Sequence, residues 1–306
     1  MSEKIHSQEF TVDGTPTVRI GNIRGSVTVS PGPDGQVSIT AVERGSDDRT
    51  RVEIGQEADG SIYARTRYEY TGFVSGLRGD RPNEVDYTVT VPAQADLTVK
   101  CVSADTDAQG ISGDIRLKSV SGEVRTAGLS GDLHLETVSG RITGDRLSGP
   151  IVLRTVSGDA SLTGSDLPSL RATSVSGSLE LETPIGGGPY EIRTVSGTVR
   201  VRTADRPSGR VHFKSVSGSA YDGSGRLRPS GGSSRPGSKK ALYVLSEDGP
   251  DIYFSSVSGS LKLLTEEGAA PGPVVIEKTG PGRMEILEKI ASGEMSVDEA
   301  VEEMGG

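Results

Sequence analysis

Glu123 and Asp159 are the two carboxylates whose spacing best suits chemistry. If strands repeat every 18 residues, the pair stands two rungs apart, ~9.6 Å at the ~4.8 Å strand spacing. That is near the upper limit for an inverting glycosidase, in which one acid protonates the leaving oxygen and the other activates water. Arg141 falls between them and would hold both ionised, against the raised pKa that a general acid needs. His6, His134 and His212 are scattered, none at metal-ligand spacing with Cys or carboxylates. His134 and His212 fall at outward strand positions, where a solvated ring is expected. The chain contains no Gly-x-x-x-x-Gly-Lys loop, nucleophile elbow or His-Glu-x-x-His pair. Arg78-Gly79-Asp80 spells an integrin-binding tripeptide, which chance supplies readily in a chain rich in Arg, Gly and Asp. These readings predict a protein that is not an enzyme and needs no cofactor or metal.

The elements that position these residues follow from a repeat. Val-Ser-Gly begins at Val120, Val138, Val156, Val175, Val195, Val216 and Val257, with Val102-Ser103-Ala104 as a degenerate first copy. Halfway between copies stand Ile111-Ser112-Gly113, Leu129-Ser130-Gly131 and Leu147-Ser148-Gly149, so the unit is nine residues and a coil holds two. Apolar residues alternate within each unit, as in Ile115 and Leu117 or Leu133 and Leu135, which is the period of a strand. Nine is odd, so the inside-outside phase must reset at a corner. The recurring Gly, with access to backbone angles closed to other residues, suits that bend.

A parallel solenoid and an antiparallel meander both fit this period. Outward charges separate them: at 18-residue steps Glu123 meets Arg141 and then Asp159, while Lys118 meets Glu136 and then Arg154. Opposite charges abreast favour a sheet by a few tenths to ~1 kcal/mol, and only parallel stacking puts them in register. Asp114 beneath Asp132 is a like-charge exception. Before each Val stand Cys101, Ser119, Thr137, Thr155, Ser174, Thr194, Ser215 and Ser256. Such a column can bond along itself and satisfy corner backbone groups. The fold class is therefore all-β, a parallel β-solenoid with about 18-residue coils over 101–266.

The ends depart from the repeat. Residues 1–100 carry strand-like runs and read as an N-terminal β cap continuous with the solenoid, with a hairpin turn at Ala58-Asp59-Gly60 and a flexible loop from Thr71 to Asn83. Gly223 to Lys240 is rich in Gly, Ser and Pro, carries Arg226, Arg228, Arg235, Lys239 and Lys240, and has no acidic residue. It reads as a disordered basic insert that would suit an acidic partner. Residues 267–282 read as a linker. Over 283–306, Leu287 and Ile290, then Val297, Val301 and Met304, take helical spacings, broken at Gly293 and restarted by a Ser296-to-Glu299 capping box. This predicts a small C-terminal α-helical hairpin, too short to fold unsupported, whose apolar residues dock on a partner or a second copy.

Composition narrows the function. Hydrophobic residues make up 33% of the chain, with 42 Gly and no Trp, which suits a thin aliphatic core between close backbones. One cysteine excludes an internal disulfide framework. The net charge of -9 argues against nucleic-acid binding. The opening residues lack the apolar stretch of a signal peptide, and no run long enough to span a membrane occurs, so a cytoplasmic place is expected, with peripheral membrane contact as the variant.

The serial Val-Ser-Gly repeats with their flanking alternation, such as Ser112-Gly113-Asp114-Ile115-Arg116-Leu117, resemble the DUF4097 family of bacterial β-strand-repeat proteins, often labelled candidate adhesins. The run Ile286 to Ala300 is similar to the short helical domain that accompanies this repeat in Gram-positive envelope-stress relatives. The resemblance implies a β-helical fold and a role in surface adhesion or envelope-stress signalling, and it supplies no catalytic residues. The expected function is a non-catalytic scaffold that binds a protein or itself through the helical tail. A carbohydrate or envelope polymer held on the Ser and Thr columns and the outward Arg residues is the alternative.

Overall fold

A computed structural model describes residues 3–69, 81–203, 209–222, 228–235, 238–244 and 249–265. Every regular element among them is a β-strand. The expected linker and helical hairpin, Arg226 and Arg78-Gly79-Asp80 lie outside the described residues. The chain divides into two compact units, residues 1–143 and 144–306.

In the first unit the coils stack in parallel. The Ser112–Ser119 strand pairs with Ser130–Thr137 so that Asp114 stands beside Asp132, Ile115 beside Leu133 and Lys118 beside Glu136, each 18 residues apart. Lys118 Nζ meets the Glu136 carboxylate at 2.6 Å, as the charge pattern predicts. The like-charge step is relieved locally, because Arg116 reaches Asp114 at 2.7 Å. The Asp114 N–H also donates to the Asp96 carboxylate one rung away, at 2.9 Å.

The N-terminal region is more than a cap. Thr17–Pro31 is a full coil, parallel to Asp96–Gln109 on one side and to parts of Ile62–Tyr68 and Glu84–Val91 on the other. Antiparallel strands close the end: Gln36–Arg44 on Glu84–Val91, Glu3–Thr11 on Gln36–Arg44, and Thr50–Gln56 on Ile62–Tyr68. The last of these joins is the expected hairpin, with Gly60 at φ 81° and Asp59 accepting from the Ser61 N–H at 2.9 Å. The Glu84–Val91 strand begins directly after Asn83, where the expected loop ends, and residues 81–83 are in no strand. Asn83 is buried, donates to the Glu43 carboxylate at 2.7 Å and accepts from the Asp47 N–H at 3.1 Å, because Glu43 is itself buried and needs a donor.

The second unit departs from sequential stacking. Ile151–Thr155, Leu170–Ser174 and Tyr190–Thr194 follow in order, at offsets of 19 and 20 residues. The next strand in space is Asp251–Ser256, with Tyr190 beside Ile252, and beyond it lies Arg210–Ser215. The Val257 coil is thus inserted between the Val195 and Val216 coils. The insert expected to be disordered instead supplies two strands, Arg228–Arg235 and Ser238–Val244, which pair with each other and, through the second, with Arg210–Ser215, all antiparallel. The reason is an open sheet edge: the Arg210–Ser215 strand ends the parallel stack, and a hairpin satisfies its backbone groups. Gly-rich composition signals loops but does not forbid an edge hairpin.

This order is testable by crosslinking in a Cys101→Ser background, which keeps the small buried column residue. Arg193→Cys with Ser255→Cys is expected to form a disulfide on oxidation, whereas Arg193→Cys with Lys214→Cys is not. The reverse result would restore sequential stacking.

The core is thin and laddered. In the second unit Leu153, Ala172, Ile192, Phe254 and Phe213 form one inward column, all buried. Each large member contributes roughly 1.5–3 kcal/mol by leaving water. At the corners the small column turns inward rather than presenting hydroxyls to solvent. Thr155 Oγ1 both donates to Gly158 O and accepts from its N–H at 2.9 Å, and Thr137, Thr194 and Ser215 accept from the N–H of the Gly three residues on. Bonding along the column occurs at Ser256 Oγ to Ser215 Oγ, 2.8 Å.

The corner glycines serve two different needs. Gly113 and Gly131 do take positive φ, of 151° and 105°. Gly122, Gly140, Gly197 and Gly218 of the Val-Ser-Gly copies do not. A Cβ on any of them would overlap the carbonyl oxygen of an adjacent coil, so close approach of backbones, rather than a special angle, requires glycine there.

Candidate interaction surface

The residues whose types suggested chemistry are engaged in the frame. Glu123 pairs with Arg125 two residues on, and its backbone N–H donates to Asp105. Asp159 accepts from the Ser178 N–H at 2.8 Å. The hydroxyls that precede the Val of each copy, from Ser119 to Ser256, are buried and offer no surface to a glycan, whereas the Ser of several Val-Ser-Gly copies, such as Ser121, Ser139 and Ser196, is exposed. Cys101 is buried, which pushes its thiol pKa up, and its sulfur lies 3.3 Å from Thr106 Oγ1. Among the described residues no group of three or more His, Cys, Asp or Glu could hold a metal ion.

His134 and His212 are not free solvated rings. His134 Nδ1 is buried without a hydrogen-bond partner. His212 stacks on Tyr253, with centroids 4.6 Å apart and planes at 12°, and shares Asp251 Oδ1 at 3.2 Å with Arg210, whose Nε donates at 2.9 Å. Burial pushes the Asp251 carboxyl up, but hydrogen bonds from His212 and Arg210 outweigh it and hold the group below its ordinary value. His6 meets the buried Glu43 at 3.4 Å.

Of the sequence-predicted binding residues, Arg228, Arg235, Lys239 and Lys240 lie on the terminal hairpin, with Lys240 opposite Lys214 and Lys239 opposite Ser215 in backbone register. Leu287, Ile290, Val297, Val301 and Met304 lie outside the described residues.

Sequence reasoning named outward Arg residues as a polymer contact but missed that the five strands 151–155, 170–174, 190–194, 251–256 and 210–215 gather them on one outward face. It carries Arg154, Arg171, Arg193, Arg210 and Lys214 against only Glu191 and Asp251, in a chain whose net charge is -9. Glu191 is shared by Arg171 at 3.1 Å and Arg193 at 3.8 Å. Tyr253 is 44% exposed amid these charges. The signal that could have found this face was the alternation of each strand, but its order across strands depends on the inserted coil.

The first unit is a stack of parallel coils closed by antiparallel strands, and the second is a stack of parallel strands with a basic outer face. The Toastrack DUF4097 family model matches residues 19–229, well over half of the chain, and the protein belongs to that family. Solved structures match the chain at low identity. A candidate adhesin from Parabacteroides merdae is 9% identical over 85% of this chain and 96% of its own, with a TM-score of 0.46. A candidate lipid-binding protein from Parabacteroides distasonis is 11% identical over 87% and 95%, with a TM-score of 0.37. No curated protein matches the chain. Among the described residues no helix is long and apolar enough to cross a membrane.

Proposed function

We propose that the chain is a non-catalytic interaction module, a rigid β-solenoid that presents ordered side chains to a partner in adhesion-like association or envelope-stress signalling. The observation that carries this reading is the inward commitment of the repeat hydroxyls. Thr137, Thr155, Thr194 and Ser215 of this column bond the corner glycines, and the outward positions carry the charge. Repeat frames of this kind bind through many weak contacts on a fixed lattice. Residues 283–306 are the docking element in this proposal, because Leu287, Ile290, Val297, Val301 and Met304 would give two short helices an apolar stripe each. A cytoplasmic or membrane-peripheral place belongs to the same proposal.

Deleting 283–306 is expected to abolish partner capture or self-association while leaving the β circular-dichroism spectrum unchanged. Unchanged binding would remove the tail from the proposal. The second reading, binding of an envelope polymer, is favoured by the basic outer face of the second unit and not by the buried hydroxyls.

A further inference from the structure

We infer that the outward column Arg154, Thr173, Arg193, Ser255, Lys214 is a binding track for an anionic polysaccharide with an acid on every second sugar. The inference rests on the reading of the chain as a binding frame and names the ligand class. In space these residues are consecutive: Arg154 lies beside Thr173, Thr173 beside Arg193, Arg193 beside Ser255 and Ser255 beside Lys214. Cation and hydroxyl therefore alternate rung by rung. In chain order the last two would be reversed, Lys214 would abut Arg193, and the alternation would be lost. Insertion of the Val257 coil restores it.

The period selects the ligand. Cations on alternate rungs stand ~9.6 Å apart at the ~4.8 Å strand spacing. An extended glycan advances by about one rung per sugar, so an acid on alternate sugars meets Arg154, Arg193 and Lys214, while Thr173 and Ser255 face the intervening sugars as hydroxyl donors and acceptors. All five residues are at least partly exposed. The neighbouring column adds Arg171 and the exposed Tyr253, whose ring offers apolar edge to sugar C–H groups.

Nucleic acid fits poorly, since its phosphates are far denser, one per ~3.4 Å along each strand of a duplex. A lipid surface presents mobile headgroups, for which a fixed alternation of charge and hydroxyl has no use, and membrane-surface binding calls for an apolar face that this column lacks.

The test uses the full chain at low salt with a hyaluronan oligosaccharide, whose carboxylates fall on every second sugar. A neutral chitin oligosaccharide of equal length, oligothymidylate and phosphatidylglycerol vesicles serve as comparisons. Hyaluronan is expected to bind, the neutral chain not, and the others more weakly. An exposed ion contact is worth a factor of about two to five, so Arg154→Gln, Arg193→Gln and Lys214→Gln together are expected to weaken binding by roughly tenfold or more, at unchanged melting temperature. Should that triple variant fold poorly, Ser255→Glu places a carboxylate between two cations and is expected to repel the ligand in the same assay.

Undiminished hyaluronan binding in a folded variant would overturn the track. Tighter binding of oligothymidylate or vesicles, or no binding of hyaluronan by the unaltered chain, would overturn the ligand class. Loss of the ligand class with tail-dependent capture intact would leave the interaction-module reading standing, whereas loss of both would remove both.

Discussion

Gly122→Ala is expected to destabilise the first unit by about 3 kcal/mol, the upper end of the usual range for forcing atoms into a packed interior. A Cβ at this corner would overlap the Ala104 carbonyl oxygen and carbon, both backbone atoms of the coil before it. Relief requires the two coils to separate, which breaks ladder bonds on both sides of the corner, including Val120 N–H to Cys101 O at 3.1 Å and Ser121 N–H to Val102 O at 2.9 Å. Gly128 is the matched control. It takes φ 60°, yet nothing lies within 4 Å of the site a Cβ would occupy, so alanine there meets only the left-handed backbone cost of about 1 kcal/mol. Urea denaturation of the two variants separates space from backbone angle. Equal midpoints would show that the corner does not depend on close coil approach.

That contrast also shows what was legible in the residues and what was not. Periodicity exposed the coil length, the inward residues and the parallel register, because Ile115, Leu133 and their charged neighbours recur at one offset and a parallel stack alone aligns them. The corner glycines were visible, but not the reason for them. A single chain records that a site is glycine without recording whether φ or a neighbouring carbonyl demands it. The hydroxyl column was visible as well, and its direction was not. Alternation places Thr155 on the inward side only if the phase reset comes after it, and the structure puts the reset at the Val: Val120 and Val138 are 44% and 42% exposed, whereas Ser119 and Thr137 are buried. Strand order in the second unit was hidden for a different reason. The spacing between Val216 and Val257 is compatible with a loop projecting from an ordered stack or with a coil returning into an earlier gap, and pairing energies that decide between them act between residues far apart in the chain. The binding face inherits that ambiguity, since Ser255 and Lys214 exchange places between the two orders.

Phe254→Ala is expected to cost about 3–5 kcal/mol, as truncation of a buried aromatic does, and to act first on the inserted coil. Phe254 is fully buried, with Ile192 beside it on one side and Phe213 on the other. Its ring stacks on Phe213 at 5.3 Å between centroids and 7° between planes, while on the outer face of the same strand pair Tyr253 stacks on His212. Both stacks join Arg210–Ser215 to Asp251–Ser256, so this pair of strands is held by aromatic contact on each side of the sheet. Neither ring would contribute this way if the coils stood apart. Removing the inner ring should therefore loosen the Arg210–Ser215 strand and the hairpin that pairs with it before the rest of the second unit melts. Limited proteolysis is expected to cut within 209–244 under conditions where residues 151–194 remain protected. Phe213→Ala combined with Phe254→Ala should cost less than the sum of the single changes, by about 0.5–1.5 kcal/mol, because the first change already removes the stack. Strict additivity, or simultaneous cleavage throughout the unit, would mean that backbone pairing alone secures the inserted coil and that the aromatic pairs only fill space.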